Sequence, residues 1–537
     1  LTEDAEVIAP HVAMVVANDT ANDTRVLKEA DALARCGARV TLFGVAASGP
    51  ATVERLDNGV VRVLVEGRFV LRDERARRRG LRRSRRLLAG EPMAVLAARS
   101  ARITAVLADV KAASGHAVRL RKTGQIGTMS FKAGVARRLL AQKRLRVAEL
   151  SVQVRTKLAR QQARLAKGAW SKWDARMARD DRGVSWRTEI PEAYDYEAML
   201  GPLLDRIQPA AIHAHDMHII GVAARAAGRA ALRGREVKTV YDAHEYVPGL
   251  SQYGGRSPRF IAAWAQHELE YIRQMDRVIT VSPAIARTLR TRYRLPLEPA
   301  VVMNSPRLAG DGDTGTEVVG IRERIGLPDE TPLMVYSGGI TRARGVETAV
   351  EALPELAGVH LAVVCVPTVA MRSVDALKKL AAKVGVEDRV HYLEPVAPAQ
   401  VVPFLRTADI GLIPILRFPS HEMALPNKVF EYVFAGLPVV TSDMPSLHEF
   451  VGRTGVGEVF TAEDPYDLAV AVRQILAAPA AYRAAVAQPD LLTEVSWESQ
   501  SDRLRALYAD LLGTGLGASV PAEHDRWEKE IRAVLGV

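Results

Sequence analysis

The densest chemistry in the chain is the stretch HEMALPNKVFEYVFAGLPVVTSD at residues 421–443. A proline, the amide of Asn427, Lys428 and, one helical turn on, Glu431 precede Ala-Gly-Leu-Pro and an apolar run, so the order is loop, helix, strand. A helix is expected to begin near Lys428. Loop amides and the positive end of the helix dipole can then hold a phosphate, with the Lys428 ammonium adding charge. Glu431 is placed to accept hydrogen bonds from a ribose diol. Outside such a pattern a glutamate there would more often be a solvated helix carboxylate.

A second constellation is YSGGITRARGVETAVEAL at residues 336–353. A strand runs into Gly338 and Gly339, then Arg342 and Arg344, then a helix. The glycines permit close backbone approach, and an arginine fork suits a diphosphate. Strand-to-helix glycines are common in α/β domains, so this segment is informative mainly beside the first. Two further groups have metal-like composition. Asp311 and Asp313 sit in Gly-rich sequence and are better read as a turn. His213, His215 and Asp216 end a strand and are expected to line a pocket there. No metal is expected at either.

The elements that must position these residues alternate regularly. Strands are expected at residues 11–17, 39–43, 211–213, 237–241 and 277–281, with helices at about 25–36, 221–232 and 259–275. Gly37 closes the first helix, giving the opening of a right-handed βαβ unit. After a Gly-, Pro- and Asp-rich stretch the alternation begins afresh, with strands at 333–336, 360–365, 389–393, 409–414 and 438–441. Residues 497–512 read as a closing amphipathic helix. Two doubly wound halves imply a ligand cleft at the carboxyl ends of their strands.

In order along the chain, DTRVLKEADALARCGARVTLF, IHAHD, VYDAHE, MDRVITVSPAIA, VVMNSP, YSGGITRARGVE, ADIGLIPI, PNKVFEYVFAGLPVVTSDMPSLHEFV and SWESQSDRLRALY resemble the retaining GT-B glycosyltransferases of the family-four type (glycosyl transferases group 1). The resemblance covers most of the chain outside a basic segment. It implies an α/β fold of two Rossmann-like domains facing across a cleft. It makes Glu431 the second glutamate of the family's E-x7-E motif, on the nucleotide ribose, and Arg344 the basic residue of the phosphate loop. His244, in YDAHE, matches a histidine near the donor sugar. Asp23, Thr24 and Arg25 fall in the first strand-to-helix loop, which with His215 is expected on the acceptor side. Position 423, where the first motif glutamate belongs, is Met423, and Glu422 is one residue out of register. Gly339 stands where the family often has arginine. The expected donor site is therefore Gly338, Gly339, Arg344, Asn427, Lys428 and Glu431, with His244, Arg344, Lys428 and Glu431 the expected catalytic set.

The charge is strongly segregated. Residues 68–182 hold 31 Lys and Arg against 8 Asp and Glu, a net of +23, so the remainder carries 11 − 23 = −12. This segment reads as a basic helical insertion: either a solvated hairpin on the N-terminal domain, or an amphipathic surface for anionic lipid or a polyanionic glycan. Little aromatic interleaving makes nucleic acid a poor partner. No apolar stretch is long enough to span a bilayer, the N-terminal residues lack a secretory pattern, and Cys36 and Cys365 cannot form a disulfide framework. A cytoplasmic protein, peripheral on the inner membrane face, is expected.

The organisation expected is an acceptor-side domain at 1–305, with its insertion at 68–182, a linker at 306–330, a nucleotide-sugar donor domain at 331–495, and a closing helix and tail at 496–537. The expected reaction is transfer of a hexosyl or N-acetylhexosaminyl group from a nucleotide-sugar to a hydroxyl of a glycan or lipid-linked glycan. Retention is implied, no metal or other cofactor is needed, and the setting is cell-surface polysaccharide or glycoconjugate synthesis. A GT-B nucleotide-sugar epimerase and a non-catalytic polyanion-binding relic are the alternatives.

Overall fold

Strand β1 (His11–Val15) carries five consecutive buried side chains, the pattern of a strand covered on both faces. Asp23 then caps helix α1 (Thr24–Arg35), its carboxylate accepting from the Val26 amide at 3.3 Å, and Gly37 at φ +88° lets the chain leave the helix. β2 (Arg39–Ala46) returns parallel to β1. An antiparallel pair, β3 (Thr52–Arg55) and β4 (Val61–Glu66), extends the sheet beyond β2. On the other side of β1 lie β5 (Ala211–His215) and β6 (Lys238–Ala243), both parallel, giving the order β3-β4-β2-β1-β5-β6.

This computed structural model describes all residues except 1–8, 22, 48, 80–92, 166–184, 252–255, 257, 309–317, 514–523 and 536–537. It divides into two compact units, one of residues 1–243, 258–278 and 507–537, the other of 244–257 and 279–506. The division falls inside β7 (Arg277–Thr280), whose last two residues pair with β8 (Ala300–Val301) in the second unit.

Most of the basic stretch between β4 and β5 is helical in its described part. After a helix at Val70–Arg79 come α2 (Met93–Lys122) and α3 (Thr128–Leu165). α2 lies against α4 (Ile220–Leu232) with backbones almost touching. A Cβ on Gly115 would sit 1.6 Å from the Gly228 carbonyl oxygen, and one on Gly228 2.6 Å from that of Ala112. Buried Arg225 of α4 donates to Asp109 of α2 and, at 2.8 Å, to the Tyr271 hydroxyl. Small residues and a buried ion pair therefore fix α2 to the body of the first unit.

The second unit holds a six-stranded parallel sheet of β9 (Leu333–Gly339), β10 (His360–Val366), β11 (Val390–Leu393), β12 (Ile410–Ile413), β13 (Val439–Ser442) and β14 (Gly457–Phe460), in the order β11-β10-β9-β12-β13-β14. α5 (Asn427–Phe434) follows a short helix at Pro419–Met423, and α6 (Trp497–Leu512) closes the chain's main body. Both sheets are of the doubly wound, Rossmann-like kind. Of the Gly-rich stretch at 306–330, the segment with Asp311 and Asp313 lies outside the described residues. Its later part forms a helix at Ile321–Ile325 that belongs to the second unit's core: Ile321 is buried, and Arg322 donates to the carbonyls of Thr407, Pro328 and Thr331. Among the described residues no helix is long and apolar enough to cross a membrane.

Candidate functional site

β9 and α5 bring the donor-side residues together. Lys428, on the first turn of α5, is buried, and its ammonium lies over the Tyr336 ring at 4.1 Å from the centroid. Gly338 follows two residues later on β9 at φ +145°, a conformation open to glycine. A Cβ there would come 2.9 Å from Lys428 Nζ, so this backbone and the ammonium are in near contact. Tyr336 donates its hydroxyl to the Gly339 carbonyl at 2.8 Å, folding the glycine loop back onto the strand. The Ser337 amide donates to the Tyr432 hydroxyl at 3.0 Å, and that hydroxyl donates to the Leu412 carbonyl at 3.3 Å. One tyrosine of α5 thus ties the helix to both β9 and β12.

Arg344 ends a single turn of 3-10 helix, Arg342–Arg344, that Gly345 closes at φ +63°. A Cβ on Gly345 would sit 1.9 Å from the Pro414 carbonyl oxygen, and the Leu416 amide donates to the Ala343 carbonyl at 2.9 Å. The arginine turn is therefore locked to the segment that follows β12. Glu431 is half-buried one turn beyond Lys428, and Asn427 is exposed at the helix start. Burial, then the charge of Arg344, pulls Lys428 down to about 7, with Glu431 opposing. An ammonium so placed gains from an arriving anion.

His421 was in the motif but had no role in the sequence analysis. Its Nδ1 lies 2.7 Å from the Leu416 carbonyl oxygen, which can only accept, so Nδ1 carries the proton and a neutral ring leaves Nε2 as an acceptor. Burial lowers its pKa, and Arg344 and Lys428 add to that effect. The structure also accounts for the out-of-register glutamate. Met423 accepts from Ser282 Oγ through its carbonyl at 2.5 Å and from Thr288 Oγ1 through its sulfur at 3.2 Å. Glu422 pairs with Arg417 at 3.1 Å, which in turn holds Asp443 at 2.7 Å. The loop before α5 is thus pinned by polar contacts at residues 422 and 423.

His244 is half-buried just after β6, in the segment of the second unit that continues into a turn at Val247–Gly249. That turn packs on the Pro419–Met423 helix, since a Cβ on Gly249 would meet the Ser420 amide at 2.7 Å.

The acceptor-side candidates form a separate cluster in the first unit. Asp23 caps α1, and Thr24 opens it. Arg25 and His215 are buried and converge on Asp242: Arg25 donates to both its oxygens at 2.7 Å, and His215 Nδ1 lies 3.1 Å from Oδ2. Arg25 also reaches Glu29 at 3.0 Å. His213 stacks on His215 with centroids 4.3 Å apart, and its Nδ1 meets the Tyr508 hydroxyl at 3.0 Å. Asp216, grouped with these histidines in the sequence, turns away at φ +65° to meet His218 at 3.1 Å, and Asp242 takes its place in the cluster. Ligand atoms of Glu29, His213, His215 and Asp242 all lie within 4.8 Å of one another, a metal-like composition, but the Arg25 guanidinium already binds both carboxylates. Burial opposes the charge on Arg25, yet Asp242 and Glu29 more than reverse this and hold it protonated.

The two doubly wound sheets, with a strand–glycine–arginine loop facing a lysine-bearing helix, define the GT-B class of architecture. Residues 170–305 match the family model for Glycosyltransferase Family 4, and residues 331–478 match that for Glycosyl transferases group 1. The chain belongs to the glycosyltransferase families that these two models describe. It is 26% identical over 243 residues to an uncharacterized glycosyltransferase of Methanocaldococcus jannaschii, covering 44% of this chain and 60% of that one. It is 25% identical over 256 residues to a D-inositol 3-phosphate glycosyltransferase of Stackebrandtia nassauensis, covering 46% and 56%. The match thus spans somewhat over half the length of these relatives. In fold it is similar to sucrose-phosphate synthase from Thermosynechococcus elongatus (TM-score 0.59, 15% identity, 94% of this chain and 99% of that one). It is also similar to α,α-trehalose 6-phosphate synthase from Burkholderia multivorans (TM-score 0.56, 13% identity, 94% and 100%).

Proposed function

We propose that the protein is a glycosyltransferase that moves a sugar from a nucleotide-sugar to a hydroxyl acceptor with retention, in the synthesis of a cell-surface polysaccharide or glycoconjugate. The observation that carries this reading is the Lys428 ammonium, buried between the Gly338 backbone and the Tyr336 ring, where burial first and the charge of Arg344 second lower its proton affinity. Two cations and the positive end of α5 suit a diphosphate, and Glu431 one turn on suits the ribose.

In this reading the bond between the anomeric carbon and the diphosphate oxygen breaks as Arg344, Lys428 and the loop amides take up the charge that develops on the leaving group. The acceptor hydroxyl oxygen bonds to the same face of that carbon, and its proton passes to the departing phosphate. The cations serve where other enzymes use a divalent metal. His244 positions the sugar. Arg25 and His215, turned inward on Asp242, act on the acceptor side by holding the loop that carries Asp23 and Thr24. The donor's sugar is a hexose or N-acetylhexosamine.

The test is transfer and hydrolysis with a panel of nucleotide-sugars, comparing the parent with a double variant, Glu431→Ala with Arg344→Ala. Loss of turnover by at least about a hundredfold is expected in the variant. Full activity in it would sink the assignment. A free epimerised nucleotide-sugar with no glycoside product would instead favour an epimerase, and a panel in which no nucleotide raises the melting temperature would favour a non-catalytic binding protein.

A further inference from the structure

The hairpin of α2 and α3 lies at residues 93–165, outside both family matches, which begin at 170 and 331. Its two helices have different surroundings. α2 is locked to α4 by Gly115, Gly228 and the Asp109–Arg225 pair. α3 packs on α2 through one face, where Leu145, Ala148 and Val152 meet Leu96 and Ile103.

The opposite face of α3 is apolar as well, and it is exposed. Val147, Leu150 and Val154 are 67%, 61% and 58% exposed, and Met129, Leu139 and Leu140 are also exposed. Steps of seven, three and four residues place Leu140, Val147, Leu150 and Val154 along one side of the helix. At 100° per residue, Arg137, Arg144 and Arg155 run along one edge of this stripe, Arg146 lies on the other, and Lys143 falls within it. Over residues 128–156 the helix has seven Lys and Arg and a single acid, Glu149. A helix that packs through one face normally turns polar side chains to water on the other. Here the outer face combines exposed aliphatic side chains with a border of cations.

We propose that the outer face of α3 is a docking surface for an anionic lipid bilayer, with the helix lying in the plane of the headgroups. This goes beyond the donor chemistry and does not depend on it. A bilayer is the partner that takes up both features: the aliphatic side chains enter the acyl boundary while the arginines and lysines meet lipid phosphates. A second copy of the chain would set two strongly cationic faces against each other. A nucleic acid would satisfy the cations but leave the aliphatic stripe in water, and residues 132–156 contain no aromatic side chain on which a base could stack.

The experiment is flotation of the full chain with phosphatidylcholine vesicles, either pure or containing about 30 mol% phosphatidylglycerol. One triple variant, Val147→Ser, Leu150→Ser and Val154→Ser, removes the stripe at constant charge. Another, Arg137→Gln, Arg144→Gln and Arg155→Gln, removes one cationic edge and keeps the stripe. All six side chains are exposed, and a thermal melt of each variant checks that it folds as the parent does. The parent is expected to float with the anionic vesicles and not with pure phosphatidylcholine, and each variant to bind at least about tenfold more weakly. Equal flotation of the serine variant overturns the proposal. So does a single-stranded RNA of about 20 nucleotides that displaces the parent from the vesicles at equal phosphate concentration. The assay contains no nucleotide-sugar, so its outcome is separate from that of the donor test.

Discussion

The Lys428 ammonium rests on the face of the Tyr336 ring, 4.1 Å from its centroid, while the Tyr336 hydroxyl is held by the Gly339 carbonyl. The ring offers the cation a favourable but weak partner in a site where burial and Arg344 both disfavour its charge. The site is therefore poised for an anion, and its protonation is coupled to binding.

That coupling predicts a pH dependence with a definite sign. Lys428 is held at about 7 in the ligand-free protein, and a bound diphosphate raises it. Binding of a nucleoside diphosphate should then take up a proton, and affinity should weaken as pH rises from about 7 to 9, approaching about tenfold per unit. Calorimetry in two buffers of different ionisation heat measures the uptake directly. An affinity constant across this range, with no proton uptake, would show that Lys428 does not face the diphosphate.

The same lysine should burden the unliganded fold. Its folded pKa lies below that of the unfolded chain, near 10.5, so between those values the unfolded state binds more protons. Stability from this group therefore rises with pH through the window from about 7 to 10, and the burden is full below it. Lys428→Met should raise the melting temperature at pH 7, by about 2–4 °C for each kcal/mol relieved. It should also abolish any further rise on adding nucleotide. A variant that melts lower than the parent at pH 7 contradicts this account.

The paired glycines should respond unequally. Gly338→Ala forces a Cβ to 2.9 Å from Lys428 Nζ at a backbone angle that suits glycine, whereas a Cβ on Gly339 meets only the Val366 carbonyl oxygen at 3.9 Å. Nucleotide affinity should drop about tenfold or more in Gly338→Ala and by less than about threefold in Gly339→Ala. Equal losses would mean that the ammonium is not held where the structure places it.

Much of this fold was legible because buried parallel strands are runs of apolar residues between Gly-closed helices. β1, β2, β9 and β10 were expected from such runs and begin where expected. β3 escaped because it is an edge strand with three of its four side chains exposed, so Thr52–Arg55 has no apolar run to announce it. On the donor side, Lys428, Glu431 and the glycine loop could be read as types and spacings, but the closure of Tyr336 and Tyr432 onto that loop depends on strand pairing. The same limit explains Asp242. His213 and His215 visibly share one face of a strand, yet their carboxylate comes from the neighbouring strand in the register His215↔Asp242, which the sequence does not encode locally. Asp216, adjacent in sequence, was the wrong partner.

The cluster around Asp242 gives the last prediction. Arg25 is only 4% exposed and binds both Asp242 oxygens and Glu29, so it balances two buried carboxylates. Arg25→Met leaves those carboxylates without their cation, a change that typically costs about 3–5 kcal/mol. Arg25→Lys keeps the charge but loses the bidentate fork, and should recover only part of the loss. The sign with pH separates this from a packing defect. Without Arg25 the carboxylates would have folded pKa values above their unfolded ones, so the variant should lose stability as pH rises through those values. Its deficit against the parent should therefore shrink toward pH 5. Adding Asp242→Asn to Arg25→Met removes one of the unbalanced charges and should restore much of the stability at pH 7. Thermal melts of the three variants and the parent at pH 5 and 7 measure all of this. A deficit that is the same at both pH values, and is not relieved by Asp242→Asn, would mean that Arg25 stabilises the unit through its volume and not its charge.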